Sequence, residues 1–337
     1  MKKLLPIVLS ICIYSTVFAS TTEVTPTNTT ISAEPANTAP ITDEPLFSDL
    51  KVGSEYYVGV KYLKSLGLIQ GYPDGSFKAK QPINRAEALK ILVGAIKFNA
   101  FANTERPIVN LQTTPEIAEI PCSFPDLFPE QWYYSYVCDA YRNQVVSGYP
   151  DGTFKPEQTI NKVEALKITI LQAGLSTATP TAENFDDVLV SDWYNDYARL
   201  ANQKSLLVED RQGLLHPADQ MTRGEFAMLI YRTLKAYKGG SEFGRATFYG
   251  GRFDGKTSAS GEIFISSEIT AAHKTLPFGT IVKVTNLTNG KSIDVRINDR
   301  GPYVNGTIID LSTSAFEAIS SLSTGVFQSE VEILSQP

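Results

Sequence analysis

Three ionisable side chains in the C-terminal third of this 337-residue chain are of the types that transfer protons in catalysis. Glu262 follows Ser260 and Gly261, His273 ends the run Thr-Ala-Ala-His, and Asp299 opens the run Asp-Arg-Gly-Pro. Carboxyl and imidazole groups act as general acids and bases when a fold holds them beside a reacting oxygen. We predict that Asp299 is the proton-transfer group, because a strand pattern ends there and a turn begins. Glu262 and His273 are expected to orient the substrate or to tune the pKa of Asp299.

A second set of charged residues recurs at the start of three predicted helices. Arg85, Lys162 and Arg223 each lie inside a capping box of the form Asn/Thr-x-x-Glu. The amino end of a helix carries partial positive charge, so a cation there is locally unfavourable. Free backbone amides, the helix dipole and a cation together can hold an anion. We therefore predict that these positions bind an acidic group, with a solvated surface cation as the alternative.

These helix starts belong to a unit that occurs three times in the chain. A Phe-x-Asp motif begins at Phe47, Phe124 and Phe185, and the later motifs keep the same offsets of 77 and 61 positions. The first two copies contain Gly-Tyr-Pro-Asp-Gly, which is a turn sequence. Constant offsets indicate duplication of one structural unit. Each unit is predicted to contain an amphipathic helix, a turn and a second, capped helix.

The pattern changes from helical to alternating after Gly240. Residues 280–286 and 292–297 alternate with period two, and Asn289-Gly290 between them is a strong hairpin turn. Ser312 is predicted to cap a short helix that ends at Ile319. Short strands with one small helix predict a compact β-barrel.

The repeats resemble S-layer homology domains over residues 46–238, through Phe-x-Asp, Gly-Tyr-Pro-Asp-Gly-x-Phe and Asn/Thr-Arg-x-Glu-like motifs. The resemblance implies an α-helical three-repeat assembly that binds a secondary cell-wall polysaccharide, often one with acidic pyruvyl groups. The binding residues that it implies are Arg85, Lys162, Arg223, Trp132 and Trp193. Each repeat departs from the pattern: Glu55 replaces the tryptophan, Lys162 replaces the arginine, and residues 209–213 replace the glycine turn. We therefore expect fewer than three working sites.

The C-terminal segment resembles the rare lipoprotein A family of double-psi β-barrels over residues 244–334. The matching motifs are Gly244-x-Ala-x-Phe-Tyr-Gly, Thr257-x-Ala-x-Gly-Glu, Thr270-Ala-Ala-His, Asp299-Arg-Gly-Pro-Tyr and Ile309-Asp-Leu-Ser. The resemblance implies a lytic transglycosylase that cleaves the glycan strands of peptidoglycan. Besides Glu262, His273 and Asp299, it implies substrate contacts from Phe248, Tyr249, Arg300 and Tyr303. Phe248 stands where the family usually has Trp, and Tyr303 where it usually has Phe.

Cleavage of this kind proceeds without water. An acid protonates the glycosidic oxygen, and the same group as a base then deprotonates the muramyl C6 hydroxyl, which closes an anhydro ring. No nucleophilic carboxylate is required, in contrast to hydrolysis by two carboxylates. Asp310 is interpreted as a structural turn group, with a further polar contact as the alternative. Two other functions stay open: a non-catalytic, expansin-like glycan-binding or wall-loosening protein, and a purely structural envelope protein.

The remaining features concern export and partners. Lys2-Lys3, an apolar run and Ala19 predict a secretory signal peptide, so the protein is expected to be secreted and bound to the cell wall at the cell surface. Cys122 and Cys138 are predicted to form a disulfide, with two free thiols as the alternative. A net charge of −6 argues against nucleic acid as a partner. We expect no nucleotide, no metal site and no cofactor.

The predicted order of parts is a signal peptide at 1–19, a Thr/Pro-rich linker at 20–45, S-layer homology repeats at 46–98, 121–174 and 184–238, an insertion at 99–120 between the first two repeats, and the barrel at 243–334.

Overall fold

The computed structural model describes residues 45–97, 121–177, 183–208, 210, 212–304 and 306–337. The predicted signal peptide, the linker up to residue 44 and the insertion at 99–120 lie outside these residues. The helices are α1 Tyr57–Ser65, α2 Arg85–Lys97, α3 Tyr134–Arg142, α4 Lys162–Gln172, α5 Asn195–Gln203, α6 Arg223–Gly239 and α7 Thr313–Ile319. The strands are β1 Glu242–Tyr249, β2 Thr270–His273, β3 Ile281–Asn286, β4 Ser292–Asp299, β5 Thr307–Ser312 and β6 Phe327–Ser335. Within the described residues, no helix meets the length and hydropathy needed to cross a bilayer.

Helices α2, α4 and α6 begin at the predicted capping boxes. Asn161 Oδ1 accepts the backbone N–H of Glu164 at 2.8 Å, and Glu164 Oε2 accepts the N–H of Asn161 at 3.1 Å. The boxes that open α2 and α6 contain the same reciprocal bonds. Each box satisfies two backbone donors that a helix start leaves unpaired. The three predicted capping boxes are confirmed.

The aspartate of each Phe-x-Asp motif closes its own repeat. Asp49 accepts the backbone N–H groups of Phe77 and Lys78, both at 2.7 Å. Asp126 and Asp187 do the same in the second and third repeats. The second of the two N–H donors has a positive φ in all three repeats, 57° at Lys78 and 56° at Lys155 and at His216. The Phe-x-Asp motif therefore has a structural role, because its aspartate stabilises the turn of its own repeat.

The three repeats are joined around a ring of backbone hydrogen bonds. The Ile83 N–H donates to Met221 O at 2.9 Å, Met221 N–H to Ile160 O at 2.9 Å, and Ile160 N–H to Ile83 O at 3.1 Å. These residues occupy equivalent positions just before the three capping boxes, and all three side chains are buried. The three capped helices consequently start from one shared centre.

The six strands form a closed barrel in the order β1-β5-β2-β4-β3-β6. β1 pairs with β5 and β2 with β4 in parallel, and the other neighbours are antiparallel. The predicted hairpin joins β3 to β4, with φ of 75° at Gly290. Ser312 caps α7, as predicted, by accepting the N–H of Ala315 at 3.3 Å. The described chain is thus multidomain, with three repeats followed by a six-stranded barrel.

The barrel packs against the third repeat. Met228 and Tyr231 of α6 form one buried cluster with Phe243 and Leu287 of the barrel. Glu330 of β6, which is 2% exposed, accepts hydrogen bonds from the Tyr231 hydroxyl and from Ser241 Oγ and forms an ion pair with Lys235 at 3.1 Å. These contacts hold the barrel against α6.

Candidate functional site

A row of four side chains crosses four strands on the outer face of the barrel. Ala272 of β2 pairs with Asp299 of β4 on one side and with Asp310 of β5 on the other, and Asp310 in turn pairs with Thr247 of β1. Directly paired residues project from the same face of a sheet, so these four side chains share one face. Their neighbours Ala271 and Leu311 lie in the barrel core, which places the row outside. Alanine in the middle leaves space between the two carboxyl groups.

Asp299 is positioned by a hairpin that spans residues 255–264. Asp299 Oδ1 accepts the backbone N–H of Ala259 and that of Arg300, each at 2.8 Å. Among the described residues, none donates a hydrogen bond to Asp299 Oδ2. One oxygen of Asp299 is therefore fixed and the other is available to a ligand.

Glu262 lies on the same hairpin and holds it to β4. Its carboxylate accepts two hydrogen bonds from Arg296 Nη1, at 2.7 and 3.0 Å, and one from Asn298 Nδ2 at 3.1 Å. The hydrogen bond from Arg296 is the largest cause that lowers the pKa of Glu262 below its usual value. An ionised, paired carboxylate cannot serve as an acid near neutral pH. The structure gives Glu262 the geometry of a positioning residue.

Asp310 has the opposite electrostatics. Its Oδ1 accepts a hydrogen bond from Thr247 Oγ1 at 2.9 Å. Burial raises the pKa of Asp310, and the negative charge of Asp299 raises it further, while the Thr247 bond lowers it. The Tyr249 hydroxyl faces the same two carboxyls, and burial followed by their charges raises its pKa. Asp310 therefore retains a proton more readily than an ordinary aspartate does. Asp310 lies in strand β5, so the predicted turn at this position is wrong.

The imidazole of His273 lies on the other side of β2. His273 pairs with Ile309, a core residue of the barrel, and is 2% exposed. Nδ1 accepts the backbone N–H of Leu276 at 3.1 Å, which leaves the ring proton on Nε2, 3.2 Å from Glu242 Oε2. Both ring nitrogens are thus engaged within the protein. The 255–264 hairpin contacts Asp299 through Ala259 and carries Glu262, which accepts a bond from the adjacent Asn298, whereas the His273 ring lies away from both.

The four predicted substrate contacts divide into two groups. Tyr303, four positions after Asp299 in the chain, is 83% exposed. The Arg300 guanidinium lies 3.7 Å from the Phe278 ring, and its Nη1 donates to His273 O at 3.3 Å. Phe248 packs on Phe316 at a ring distance of 4.7 Å, next to the barrel core.

Tyr249, the fourth predicted contact, stacks on Phe264 at 4.4 Å and is half-buried. Its hydroxyl lies at the carboxyl row and not on the surface. Phe248 and Tyr249 therefore pack against the neighbouring rings of Phe316 and Phe264. Thr247 and Ala272 were not predicted as site residues, although an acid inside the apolar strand Thr-Ile-Ile-Asp-Leu is a signal that could have directed attention to their neighbour Asp310.

The predicted anion-binding cations form bridges between repeats. The Nε of Arg85 donates to Phe154 O of the second repeat at 3.0 Å, and the Nε of Arg223 donates to Phe77 O of the first at 3.1 Å. Lys162 Nζ donates to Leu215 O of the third repeat at 3.3 Å. Both arginines are 8% exposed and stack on aromatic rings of the adjacent repeat. These bonds offset the cost of placing a cation at a helix start. Arg85 and Arg223 are buried, so the alternative of a solvated surface cation is wrong for both.

Two grooves between repeats have matching walls. One, of about 180 Å³, contains Trp132, Lys90, Tyr72, Glu87 and Arg223. The other, of about 240 Å³, contains the equivalent residues Trp193, Lys167, Tyr149, Glu164 and Arg85. The tryptophans are 53% and 57% exposed, with a lysine within 5.5 Å of each ring. An exposed aromatic face beside a cation suits a sugar with an acidic substituent.

The third groove differs at each key position. Glu55 replaces the tryptophan, Met228 replaces the lysine, and Lys162 replaces the arginine. The barrel borders this groove, since Leu287, Thr288 and Gln328 contribute to its lining. Only two open grooves of the Trp-Lys-Arg kind are present in the part of the chain that the structure describes.

Cys122 and Cys138 are joined by a disulfide in the structure, with a Cα–Cα distance of 5.4 Å. The bridge ties the segment before the second repeat to α3. The His216 side chain is 41% exposed, and its Nε2 lies 2.8 Å from Asp210 Oδ2. The described residues contain no group of three or more His, Cys, Asp or Glu side chains arranged to hold a metal ion.

Comparison with known families matches these two regions. The S-layer homology domain profile matches residues 46–89, 123–166 and 184–227, and the lytic transglycolase profile matches residues 241–331. The chain therefore carries three S-layer homology repeats followed by an RlpA-like barrel domain, and the predicted resemblances are confirmed.

Among curated proteins, the barrel region is similar to the probable endolytic peptidoglycan transglycosylase RlpA of Synechocystis sp., with 52% identity over 30% of this chain and 30% of that protein. It is also similar to the endolytic peptidoglycan transglycosylase RlpA of Vibrio cholerae, with 47% identity over 31% of this chain and 40% of that protein. The chain thus spans between 30% and 40% of the length of these relatives. Among solved structures, an expansin of Clavibacter michiganensis aligns with 21% identity over 29% of this chain and 52% of that chain, at a TM-score of 0.25.

Proposed function

We propose that this protein is a cell-wall-anchored lytic transglycosylase that cleaves the glycan strands of peptidoglycan. The observation that carries the proposal is the pair of carboxyls, Asp299 and Asp310, that flank Ala272 on the outer face of the barrel. Tyr303, four positions after Asp299 in the chain, has an exposed side chain. Two RlpA transglycosylases with about half of their residues identical over this domain support the same reaction class.

The pKa of Asp310 is raised, and this favours a division of labour between the two carboxyls. From the sequence, we predicted that Asp299 performs both proton transfers. The raised pKa of Asp310 suits a general acid that protonates the glycosidic oxygen. Asp299, whose Oδ1 is held by two backbone N–H groups, suits the base that accepts the proton of the muramyl C6 hydroxyl. That oxygen attacks the anomeric carbon and closes the anhydro ring, and the leaving sugar departs with the proton from Asp310.

The surrounding residues position this pair. Glu262 holds the 255–264 hairpin on β4 through Arg296 and Asn298, and the same hairpin supplies the Ala259 N–H to Asp299. His273 fixes the turn after β2 through Leu276, and its carbonyl oxygen accepts a bond from Arg300. Both residues therefore act on the reaction indirectly, by holding the chain segments around Asp299. Tyr303 and Arg300 contact the sugar chain, and Phe248 and Tyr249 support its floor.

The repeats supply the anchor in this proposal. The three S-layer homology repeats form one helical assembly, whose two open grooves bind acidic sugars of a secondary cell-wall polysaccharide through Trp132, Trp193, Arg85 and Arg223, with Lys162 in the altered third groove. The signal peptide at 1–19 directs export to the cell surface, and the linker up to residue 45 precedes the repeats. In this proposal the repeats span 46–98, 121–174 and 184–238, and the barrel spans 243–334.

Digestion of purified sacculi tests the reaction. The full chain is incubated with sacculi, and the released fragments are separated and identified by mass spectrometry. Anhydro-muropeptides are the expected product, because ring closure replaces attack by water. Release of reducing muropeptides would indicate hydrolysis, and binding without any release would indicate the expansin-like alternative.

A further inference from the structure

The loop that follows β1 places two cations beside one aromatic ring. The Arg252 guanidinium carbon lies 4.9 Å and Lys256 Nζ lies 5.1 Å from the centre of the Phe253 ring. Both cationic residues are exposed, and among the described residues neither charged group has an ion pair or a hydrogen-bond partner. By contrast, Lys78 and Lys155, which also lie over rings, are each paired with an aspartate four positions earlier. The charges in this loop are available to a ligand.

The loop is fixed in one conformation by its own hydrogen bonds. Asp254 Oδ1 accepts the Ser266 N–H at 2.6 Å, and Asp254 Oδ2 accepts the Ser266 hydroxyl at 2.9 Å. The Gly255 N–H donates to Phe264 O at 3.0 Å, and the Phe264 N–H donates to Lys256 O at 2.8 Å. The acid that separates the two cations in the sequence is thus used to close the loop. A loop that is ordered before binding loses little conformational entropy when a ligand arrives.

Tyr249 connects this loop to the row of carboxyls. It lies two residues after Thr247 in β1, so the two side chains share one face of the strand. The Tyr249 ring meets the Phe253 ring edge to face at 6.0 Å. Burial raises the pKa of Tyr249, and the negative charges of Asp299 and Asp310 raise it further. The cluster of Arg252, Phe253 and Lys256 therefore borders the place where the glycan is cleaved.

The carboxyls of the site have an electrostatic consequence for the substrate. A muramyl sugar carries a carboxyl on its lactyl ether, and where a stem peptide is attached the carboxylates belong to the peptide. Ionised Asp299 repels an anion of either kind. Two cations at the border of the row offset this repulsion, because arginine and lysine form charge-assisted hydrogen bonds to carboxylates. An aromatic ring between the cations can pack against the apolar face of a sugar.

We propose that Arg252, Phe253 and Lys256 form a subsite for a carboxylate-bearing muramyl unit beside the bond that is cleaved. Phe253 contacts the sugar, and the two cations bind the carboxylate. The subsite selects charged glycan strands over strands whose carboxylates are blocked. It rests on the proposed function, because its ligand is the glycan that the barrel cleaves.

Purified glycan strands and the full chain test this inference. The strands are freed of secondary cell-wall polysaccharide, so that the open grooves of the repeats do not contribute to the affinity. Three forms are compared: strands with the free lactyl carboxylate, strands with that carboxylate converted to a methylamide, and strands that carry the stem peptide. KM and kcat are measured from the release of anhydro-ended fragments, and Kd is measured with the full-length Asp299→Asn variant.

Removal of both charges is the main variant. Arg252→Gln combined with Lys256→Gln should raise KM and Kd by about tenfold or more on at least one of the two carboxylate-bearing strands. The value of kcat should change by less than about twofold, because the subsite binds the ground state and the transition state alike. On methylamide strands the double variant should match wild type. Lys291→Gln, which changes an exposed lysine outside this loop, is the control and should match wild type on every strand.

The aromatic ring has a separate test. Phe253→Leu keeps an apolar contact for Tyr249 and removes the aromatic face. It should weaken the binding of charged and methylamide strands alike, by about threefold or more. Unchanged binding of both strands in a folded Phe253→Leu protein would overturn the role of the ring.

The two carboxylate-bearing strands identify the source of the charge. A loss of affinity on peptide-free strands assigns the carboxylate to the lactyl ether, and a loss on peptide-bearing strands assigns it to the stem peptide. Both results support the subsite. A double variant with the KM and Kd of wild type on both strands would overturn it, as would an equal loss on methylamide strands.

The binding measurement separates the subsite from the reaction itself. If wild type releases no anhydro-ended fragments from any strand, the proposed function fails, and a Kd that depends on Arg252 and Lys256 still supports the subsite. If the double variant cleaves charged strands with the KM of wild type, the reaction stands and the subsite is overturned.

Discussion

Asp299 and Asp310 pair with the same residue, Ala272, from its two sides, and so present their carboxyls on one stretch of the outer barrel face. Neighbouring strands lie about 4.8 Å apart, which puts the two Cα atoms roughly 10 Å from each other. The side chain between the two aspartates is the methyl group of Ala272, so their carboxyls can extend towards each other across it. The site is thus built where the barrel places β2 between β4 and β5.

Stability should report the electrostatics of Asp310. Its pKa is raised in the folded protein, first by burial and then by the charge of Asp299. The stability that protonated Asp310 contributes is present below its ordinary pKa and is lost as pH rises through the raised value. Asp310→Asn keeps an acceptor for Thr247 and removes the buried charge, so the variant should be more stable than wild type at neutral pH. The difference should vanish at low pH.

Urea unfolding at a series of pH values measures this effect. Asp294→Asn, which changes an exposed carboxyl on the outer face of β4, is the control and should follow wild type at every pH. If Asp310→Asn were less stable than wild type at neutral pH, the buried carboxyl would have to be held by a partner that our account lacks.

Ala272 should be critical for substrate access. It is 4% exposed between the two carboxyls, so a leucine there would fill the space into which the glycosidic oxygen must enter. We expect Ala272→Leu to reduce the rate of glycan cleavage by about 100-fold and to destabilise the fold by about 1–3 kcal/mol through overpacking. Ala272→Ser adds one oxygen only and should retain most of the activity. A leucine variant with normal cleavage would show that the substrate does not pass between the carboxyls.

The open grooves should account for wall binding through their tryptophans. Trp132→Ala and Trp193→Ala should each weaken binding to isolated cell walls by about tenfold, which is about 1.4 kcal/mol. The double variant should lose most of the binding. Co-sedimentation measures the affinity, with Phe128→Ala as control, because Phe128 is 50% exposed and lines neither groove. A double variant that sediments like Phe128→Ala would exclude the grooves as the binding sites. Replacing Arg85 or Arg223 is a poorer test, since these side chains also join the repeats.

The contact between the barrel and α6 should depend on Lys235. This residue pairs with Glu330, which is 2% exposed, and also with Glu332, whose side chain is 40% exposed. Lys235→Met leaves a buried carboxylate supported by only two hydroxyls, and we expect a loss of about 2–3 kcal/mol in the free energy of unfolding. Glu332→Gln removes the exposed half of the same pair and should cost less than about 1 kcal/mol. Equal effects of the two variants in denaturant unfolding would contradict the burial argument.

Local sequence signals were sufficient for the helices and for one hairpin. The capping boxes mark the starts of α2, α4 and α6 to within a residue, because the cap and its glutamate are three positions apart. Asn289-Gly290 likewise determines its own turn. The bridges from Arg85 and Arg223 were not predictable in this way, since each acceptor lies in another repeat.

Long-range register decides the candidate site, and no local pattern encodes it. Asp299, Ala272 and Asp310 meet only because β2 lies between β4 and β5, with one parallel and one antiparallel pairing. The direction of His273 also follows from register: its partner Ile309 is a core residue, so the ring points into the barrel and not towards the carboxyls. Residue types alone could identify the acids and the histidine, but not the face on which each would lie.

The most direct test of the account compares four proteins in one digestion of purified sacculi: wild type, Asp299→Asn, Asp310→Asn and Asp294→Asn. We predict that wild type and Asp294→Asn release anhydro-muropeptides at similar rates. The other two variants should be slower by about 10²–10⁴-fold while they still sediment with the sacculi. Normal release of anhydro-muropeptides by either Asp299→Asn or Asp310→Asn would contradict the proposal that these two carboxyls carry the reaction.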